Sequence, residues 1–371
     1  MAKNRIKNID EIVTQSGTVV DLDNIQATGG SSGGAGGTVS AAGLALSRSE
    51  DATAIRYAFN VAGPSLHAAD GHSPTASHMM VGVSAPTQNI SLLSFSDQNT
   101  HDQSFNVGTN QAADGGYTQA CGGDDKMWIV GGLTSSNTDV STIQPMSFTD
   151  SSEYSVWGNF GHTFALGTTT SNGTSAFNSG GRRNGSTVVA MSKFNFSDSS
   201  SVQDEGTLSE AVNYVDSGND GQKMLVLGGA DASSALSESI VQHYQLNSGN
   251  QADSYNDLDI ASHLNFCCNN IEKIFLCIGY STASGVSERM DEVSFNSGSK
   301  SSMFMTTTGH GYAGAMASNG TGEAIIAGGY RDTITSVATI SKFSFDDSSS
   351  LAGYGSLNQV RHHNFGSSGN G

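Results

Sequence analysis

Basic residues are scarce: 16 Lys and Arg stand against 34 Asp and Glu, a formal net charge of −18 over 371 residues. Such a chain does not hold a polyanion through its field, which argues against nucleic acid or an anionic membrane as main partner. Charged residues of both signs make up 13%, about half the usual share. Ser, Thr, Asn and 46 Gly fill the gap, a composition that disfavours long solvated helices and favours short strands with tight turns. No apolar run reaches the ~18 residues of a membrane-spanning helix. The N-terminal MAKNRIKNIDEIV has basic residues without the apolar stretch of a signal peptide, so export by that route is not expected. Four cysteines, Cys121, Cys267, Cys268 and Cys277, lie in apolar text without CxxC spacing and read as reduced, buried small hydrophobes.

What is abundant is repetition. Six segments share one shape: ISLLSF ending at Phe95, IQPMSF at Phe148, MSKFNF at Phe196, VQHYQL at Leu246, MDEVSF at Phe295 and ISKFSF at Phe345. Their intervals are 53, 48, 50, 49 and 50 residues. About 16 residues before each stands an apolar strand ending in Gly-Gly or a relative of it, near Gly82, Gly132, Gly181, Gly229, Gly279 and Gly329. HTFALGTTTSNGTSAFNSGG from His162 and HGYAGAMASNGTGEAIIAGG from His310 align without a gap. A weaker seventh copy ends at Gly30 and Leu46, and the tail RHHNFGSSGNG matches the start of a repeat.

Each copy reads as four strands: A with small residues (FALGTTT, NFCCN, YAGAMAS), B ending in Gly-Gly, C ending in Phe, and a variable polar D. One four-stranded sheet cannot bury both faces, so the copies must stack, and radial stacking protects the edges. The expectation is an all-β, seven-bladed propeller (six-bladed as the alternative) with four-stranded blades of about 50 residues. The C-terminal strand would close it by joining the N-terminal blade. Residues 21–371 would form this single domain and residues 1–20 a docking arm or leader, with Lys3, Arg5, Lys7, Ile9 and Ile12 as its contact residues.

The period near fifty, the strand ending in Gly-Gly and the strand that follows it resemble kelch repeats, which form β-propellers. The likeness covers about residues 25–371, and Trp157 falls where kelch blades carry a Trp on strand D. It implies a fold more than an activity.

In this threading strand A begins and strand B ends at one mouth of the channel. That mouth gathers His162, Arg182, Arg183, His263, Tyr280, His310, Tyr330, Arg331, His362 and His363 as candidate ligand or partner residues, with Arg and Tyr as anchors. The competing reading makes the histidines structural. Histidines from different blades do not converge on one centre, and HExxH and His-x-His spacings are absent, so neither a metal nor a cofactor is expected. Asp97, Asp150, Asp198, Asp346 and Asp347 recur in C–D turns at the opposite end and read as solvated turns. No catalytic residues are assigned, since Gly-x-Ser-x-Gly, Walker and Rossmann patterns are missing.

The chain also resembles bacteriophage structural proteins in being acidic, Lys-poor and rich in Gly, Ser, Thr and Asn. That implies a non-enzymatic virion component (capsid decoration, tail or fibre) assembled in the host cytoplasm. Its partners would be other virion proteins, copies of itself, or a host-surface glycan or protein. The alternatives are a cytoplasmic kelch-like interaction module and a carbohydrate-active propeller enzyme or lectin.

Overall fold

The structure is a computed structural model that describes residues 11–13, 19–21, 78–83, 89–96, 105–106 and 118–369, the last stretch with short breaks such as 149–156 and 362–363. The chain divides into two compact units, Met1–Gly63 and Pro64–Gly371. In the first, Glu11–Val13 pairs antiparallel with Val19–Asp21, Ile12 opposite Val20. Ile12, one of the leader's expected contact residues, thus sits on a strand. Lys3, Arg5, Lys7, Ile9 and the seventh copy at Gly30 and Leu46 lie outside the described residues, as do His362 and His363.

The second unit is all-β and propeller-like, with no helix among the described residues. Six antiparallel sheets are built on one plan. Sheet I takes its A strand from the far end of the chain: Asn364–Gly369 pairs with His78–Val83, followed by Asn89–Ser94 and Phe105–Asn106. Sheet II runs Gln119–Gly122, Lys126–Val130, Val140–Ser147, Gly158–Ala165. Sheet III runs Thr168–Ser171, Ser175–Ser179, Ala190–Asn195, Asp198–Thr207, and sheet IV Asp216–Asn219, Lys223–Leu227, Val241–Gln245, Asp253–Ser254. Sheet V is Phe266–Asn269, Lys273–Ser281, Gly285–Ser294, Lys300–Thr306; sheet VI is Ala315–Ser318, Glu323–Ala327, Val337–Ser344, Asp347–Arg361. The B–C connection of sheet III forms a hairpin, Arg182–Arg183 with Ser186–Thr187, that reaches back and extends sheet II to six strands.

The repeat's aromatic ending explains how the sheets stack. Trp128 on strand B of sheet II stacks on Phe196 at 4.7 Å and meets Phe194 edge-on, both at the end of strand C of sheet III. Phe275 of sheet V repeats this against Phe345 (4.3 Å, stacked) and Phe343 of sheet VI. Burying one such ring is worth about 1.5–3 kcal/mol, and the pairing stands at the junctions of sheets II with III and V with VI. Trp157 joins the first cluster, 5.0 Å from Trp128. All four cysteines are buried thiols outside any disulfide, and burial pushes the Cys277 thiol well up.

Two sets of hydrogen bonds tie neighbouring sheets at opposite ends of their A strands. At the end where A passes to B, the last residue of the A strand in sheets III to VI reaches the sheet before it: Ser171 Oγ donates to Gly122 O (2.5 Å), Asn219 Nδ2 to Ser171 O (2.9 Å), Asn269 Nδ2 to Asn219 O (2.9 Å) and Ser318 Oγ to Asn269 O (3.0 Å). Donor and acceptor lie 48 to 50 residues apart, one repeat. At the other end the residue two before the A strand of sheets III to VI adopts positive φ: Leu166, Tyr214, Leu264 and Ala313. These bond head to tail through the backbone, Tyr214 N to Leu166 O, Leu264 N to Tyr214 O and Ala313 N to Leu264 O. Positive φ in a non-Gly residue is strained, and the inter-sheet bonds hold it.

Candidate functional site

The end carrying the positive-φ residues is where strand A begins and strand B finishes. The residue before each of them bridges the one that follows strand B's turn: Ala165 opposite Arg182, Asn213 opposite Ala230, His263 opposite Tyr280 and Tyr312 opposite Tyr330. Arg182, Tyr280 and Tyr330 therefore occupy equivalent positions, as the repeat implied. Gly-Gly precedes Ala230 because the chain turns tightly here: a Cβ on Gly229 (φ +109°) would stand 2.5 Å from Val215 Cγ1 and 2.9 Å from Asn213 O.

These bridges bring an aromatic row onto the face. Tyr214 lies 5.9 Å from His263, His263 5.4 Å from Tyr280, Tyr280 6.0 Å from Tyr312, and Tyr312 stacks on Tyr330 at 4.6 Å. All are half-buried except Tyr312, which is buried. Burial, the flanking Tyr330 and Tyr280 hydroxyls and Asp332 push the Tyr312 hydroxyl up to about 12, and burial raises Tyr330 as well. His263 is fixed by Ser237 Oγ at Nδ1 (2.9 Å), and burial lowers its pKa. Ser237 Oγ in turn accepts from Thr282 N (3.0 Å). Beside it Leu236 is 60% exposed, the exposed large apolar side chain among the described residues.

The remaining sequence candidates separate from this row. His310 is fully buried, Nδ1 with Gly328 O (3.0 Å) and Nε2 with Ser341 Oγ (2.9 Å); it is a structural histidine. His162 and His310 are not equivalent: strand A starts six residues after the first and five after the second. His162 instead lies on the D strand of sheet II, its pKa lowered by burial and by Arg183. Phe164 and Ala165, read as the start of strand A, also belong to that D strand. Arg182 is committed to the buried Asp139 (Nε 2.8 Å, Nη2 2.5 Å), whose other oxygen accepts Gly185 N (2.8 Å). Arg183 bonds Ser192 Oγ (2.7 Å) and Asp204 (3.2 Å). Neither arginine is an open anchor. Arg331 is 58% exposed, with Asp332 3.9 Å away.

Sequence reasoning missed Tyr214, Tyr312, Leu236 and Ser237. Tyr312 and Tyr214 carry a readable signal only once the position before strand A is known. At the opposite end Asp198 and Asp347 each accept from the backbone and hydroxyl of a Ser two residues on, Ser200 and Ser349, which lowers both carboxyls. These are the self-bonded turns expected of them. No group of three or more metal-ligating side chains occurs among the described residues.

Fold and face together define an all-β, propeller-like protein with an aromatic row at one end of its inner strands. No protein-family model and no curated protein matches the chain. Among solved structures it is similar to one titled "Structure of YjhT", with a TM-score of 0.52 and 13% identity over 67% of this chain and 86% of that one. At that identity the likeness is one of fold alone.

Proposed function

We propose that this chain is a non-enzymatic recognition protein built on a closed, six-bladed, kelch-like propeller, and that the face carrying Tyr214, His263, Tyr280, Tyr312 and Tyr330 meets the partner. The observation that carries it is the aromatic row itself. Clusters rich in Tyr have the composition of binding hot spots. The polar groups around the row are engaged in holding the fold: His310 by both nitrogens, His263 by Ser237, Arg182 by Asp139. A tyrosine pushed up to about 12 is a poor proton acceptor at neutral pH. Closure is supported by the A strand Asn364–Gly369, which neighbours the A strands of both sheet II and sheet VI. It is supported too by Leu93 and Phe95 of sheet I, packed with Ile325, Ala327 and Ile340 of sheet VI.

The setting favoured by the composition is a bacteriophage virion, where a Lys-poor, acidic, disulfide-free propeller would be displayed. The test is cryo-EM and cell adsorption of particles purified from cells making the chain. Propeller density on a shell or tail, and adsorption reduced at least tenfold by Tyr280→Leu with Tyr330→Leu, is the expected result. A chain that stays free of particles sinks the virion setting; adsorption indifferent to both tyrosines sinks the recognition face.

A further inference from the structure

We infer that the aromatic row takes a cationic partner: a protein segment bearing lysine and arginine side chains. The inference rests on the recognition face proposed above and names the chemistry of its occupant.

Tyrosine rings present electron-rich faces that attract ammonium and guanidinium groups. The row runs beside carboxylates. Glu238 adjoins Ser237, the partner of His263, and Asp332 sits close enough to Tyr312 to raise its hydroxyl. Glu288 caps Gly309 N at 2.8 Å, next to the segment carrying Tyr312. Glu238 in turn has Glu210, Asp231 and Asp257 around it, and together with burial they raise its carboxyl.

The cations in this region are already neutralised by other groups. Arg182 pairs with Asp139, Arg183 with Asp204, Arg289 with Asp291 and Asp259, and Lys300 with Asp259. Arg331 is the exception beside Tyr330, and Asp332 accompanies it. Carboxylates gather around Glu238 at this end, with Glu210, Asp231 and Asp257 about it, and the whole chain carries −18. A basic peptide gains from both features, its heads over the rings and among the carboxylates, its aliphatic stems against Leu236. A neutral saccharide uses only the rings, and an anionic partner is repelled.

The test titrates the full-length chain with a (Lys-Gly)4 peptide, a (Glu-Gly)4 peptide and a neutral oligosaccharide, by calorimetry at low and moderate salt. The expected result is binding of the lysine peptide alone, weakened at least fivefold by Tyr280→Leu with Tyr330→Leu, and likewise by Glu238→Gln with Asp231→Asn. Asp198→Asn with Asp347→Asn removes the same charge from the opposite end and should leave binding unchanged. Thermal melts of each variant report folding separately. Equal weakening by the opposite-end variant would show general charge attraction and overturn the inference. Tyrosine-dependent binding of the saccharide without the peptide overturns the cationic partner and leaves the recognition face standing. Indifference of every probe to the tyrosines overturns both.

Discussion

His310 shows how a residue that looks like a ligand becomes part of the frame. Its ring joins the turn after strand B, through Gly328 O, to strand C of the same sheet, through Ser341 Oγ. His310→Ala strands both partners in a buried site and should cost about 2–4 kcal/mol, read as a fall of several degrees in thermal midpoint. Burial lowers the pKa of His162, His263 and His310, so the unfolded chain binds protons more readily than the folded one. Their contribution is complete above the ordinary value of 6.5 and is lost as pH falls below it. The midpoint should therefore drop between pH 7 and pH 5.5, with a shallower slope in His310→Ala. The lowered carboxyls of Asp198 and Asp347 act only in a later window, as pH falls below about 4. Glu238 has the opposite sign, because its raised carboxyl makes ionisation unfavourable in the folded state. Glu238→Gln should raise the midpoint slightly at pH 7, by less than about 1 kcal/mol for a partly exposed group, and the gain should vanish in acid.

At the scale of single elements, the hairpin Arg182–Thr187 depends on one buried carboxylate. Asp139, on the loop leading into strand C of sheet II, holds both the Arg182 guanidinium and the Gly185 amide of a connection belonging to sheet III. Asp139→Ala should cost about 2–4 kcal/mol, since it leaves a partly buried cation and an amide without their acceptor. Amide exchange over 182–187 should accelerate more than over strand B of either sheet. Asn219 has the same cross-sheet role at the other end, so Asn219→Ala should cost about 1–3 kcal/mol, checked by denaturant unfolding. How far such elements were legible in the sequence varies by kind. The strands, their A–D order and the Gly-Gly turns follow from a 50-residue period, because hydrophobic alternation and turn chemistry are local. The links between sheets are not local: an Asn at a strand end looks the same whether water or a neighbouring carbonyl receives it. Nor does anything local mark Leu166, Tyr214, Leu264 and Ala313 for positive φ, a conformation supplied by the adjoining sheet. The candidate site suffered accordingly. Tyr280 and Tyr330 were placed by the repeat, but His162 and His310 matched across a one-residue slip, and two arginines that looked free were claimed by Asp139 and Asp204.

For the whole molecule the question is how many copies of the repeat make the ring. The sequence counts seven when the segment ending at Gly30 and Leu46 is included, whereas the described residues of the unit Pro64–Gly371 form six sheets, and sheet I takes its A strand from Asn364–Gly369. A ring of six makes Met1–Gly63 dispensable for folding, while a ring of seven makes it an integral sheet. On the proposed ring of six, removing residues 1–63 should leave the thermal midpoint within about 2 °C of the full chain. Removing 364–371 should act in the opposite way. It strips six residue pairs from His78–Val83 and leaves that strand with an open edge, while the A strands of sheets II and VI lose the neighbour between them. Because sheets in a ring are stabilised by both neighbours, the loss is felt at two interfaces, and the midpoint should fall by 10 °C or more, on the order of several kcal/mol. The two truncations measured side by side by scanning calorimetry decide the count. A stable 64–371 with an unstable 1–363 is the signature of six, and the reverse pattern, or collapse of both, requires the N-terminal copy inside the ring.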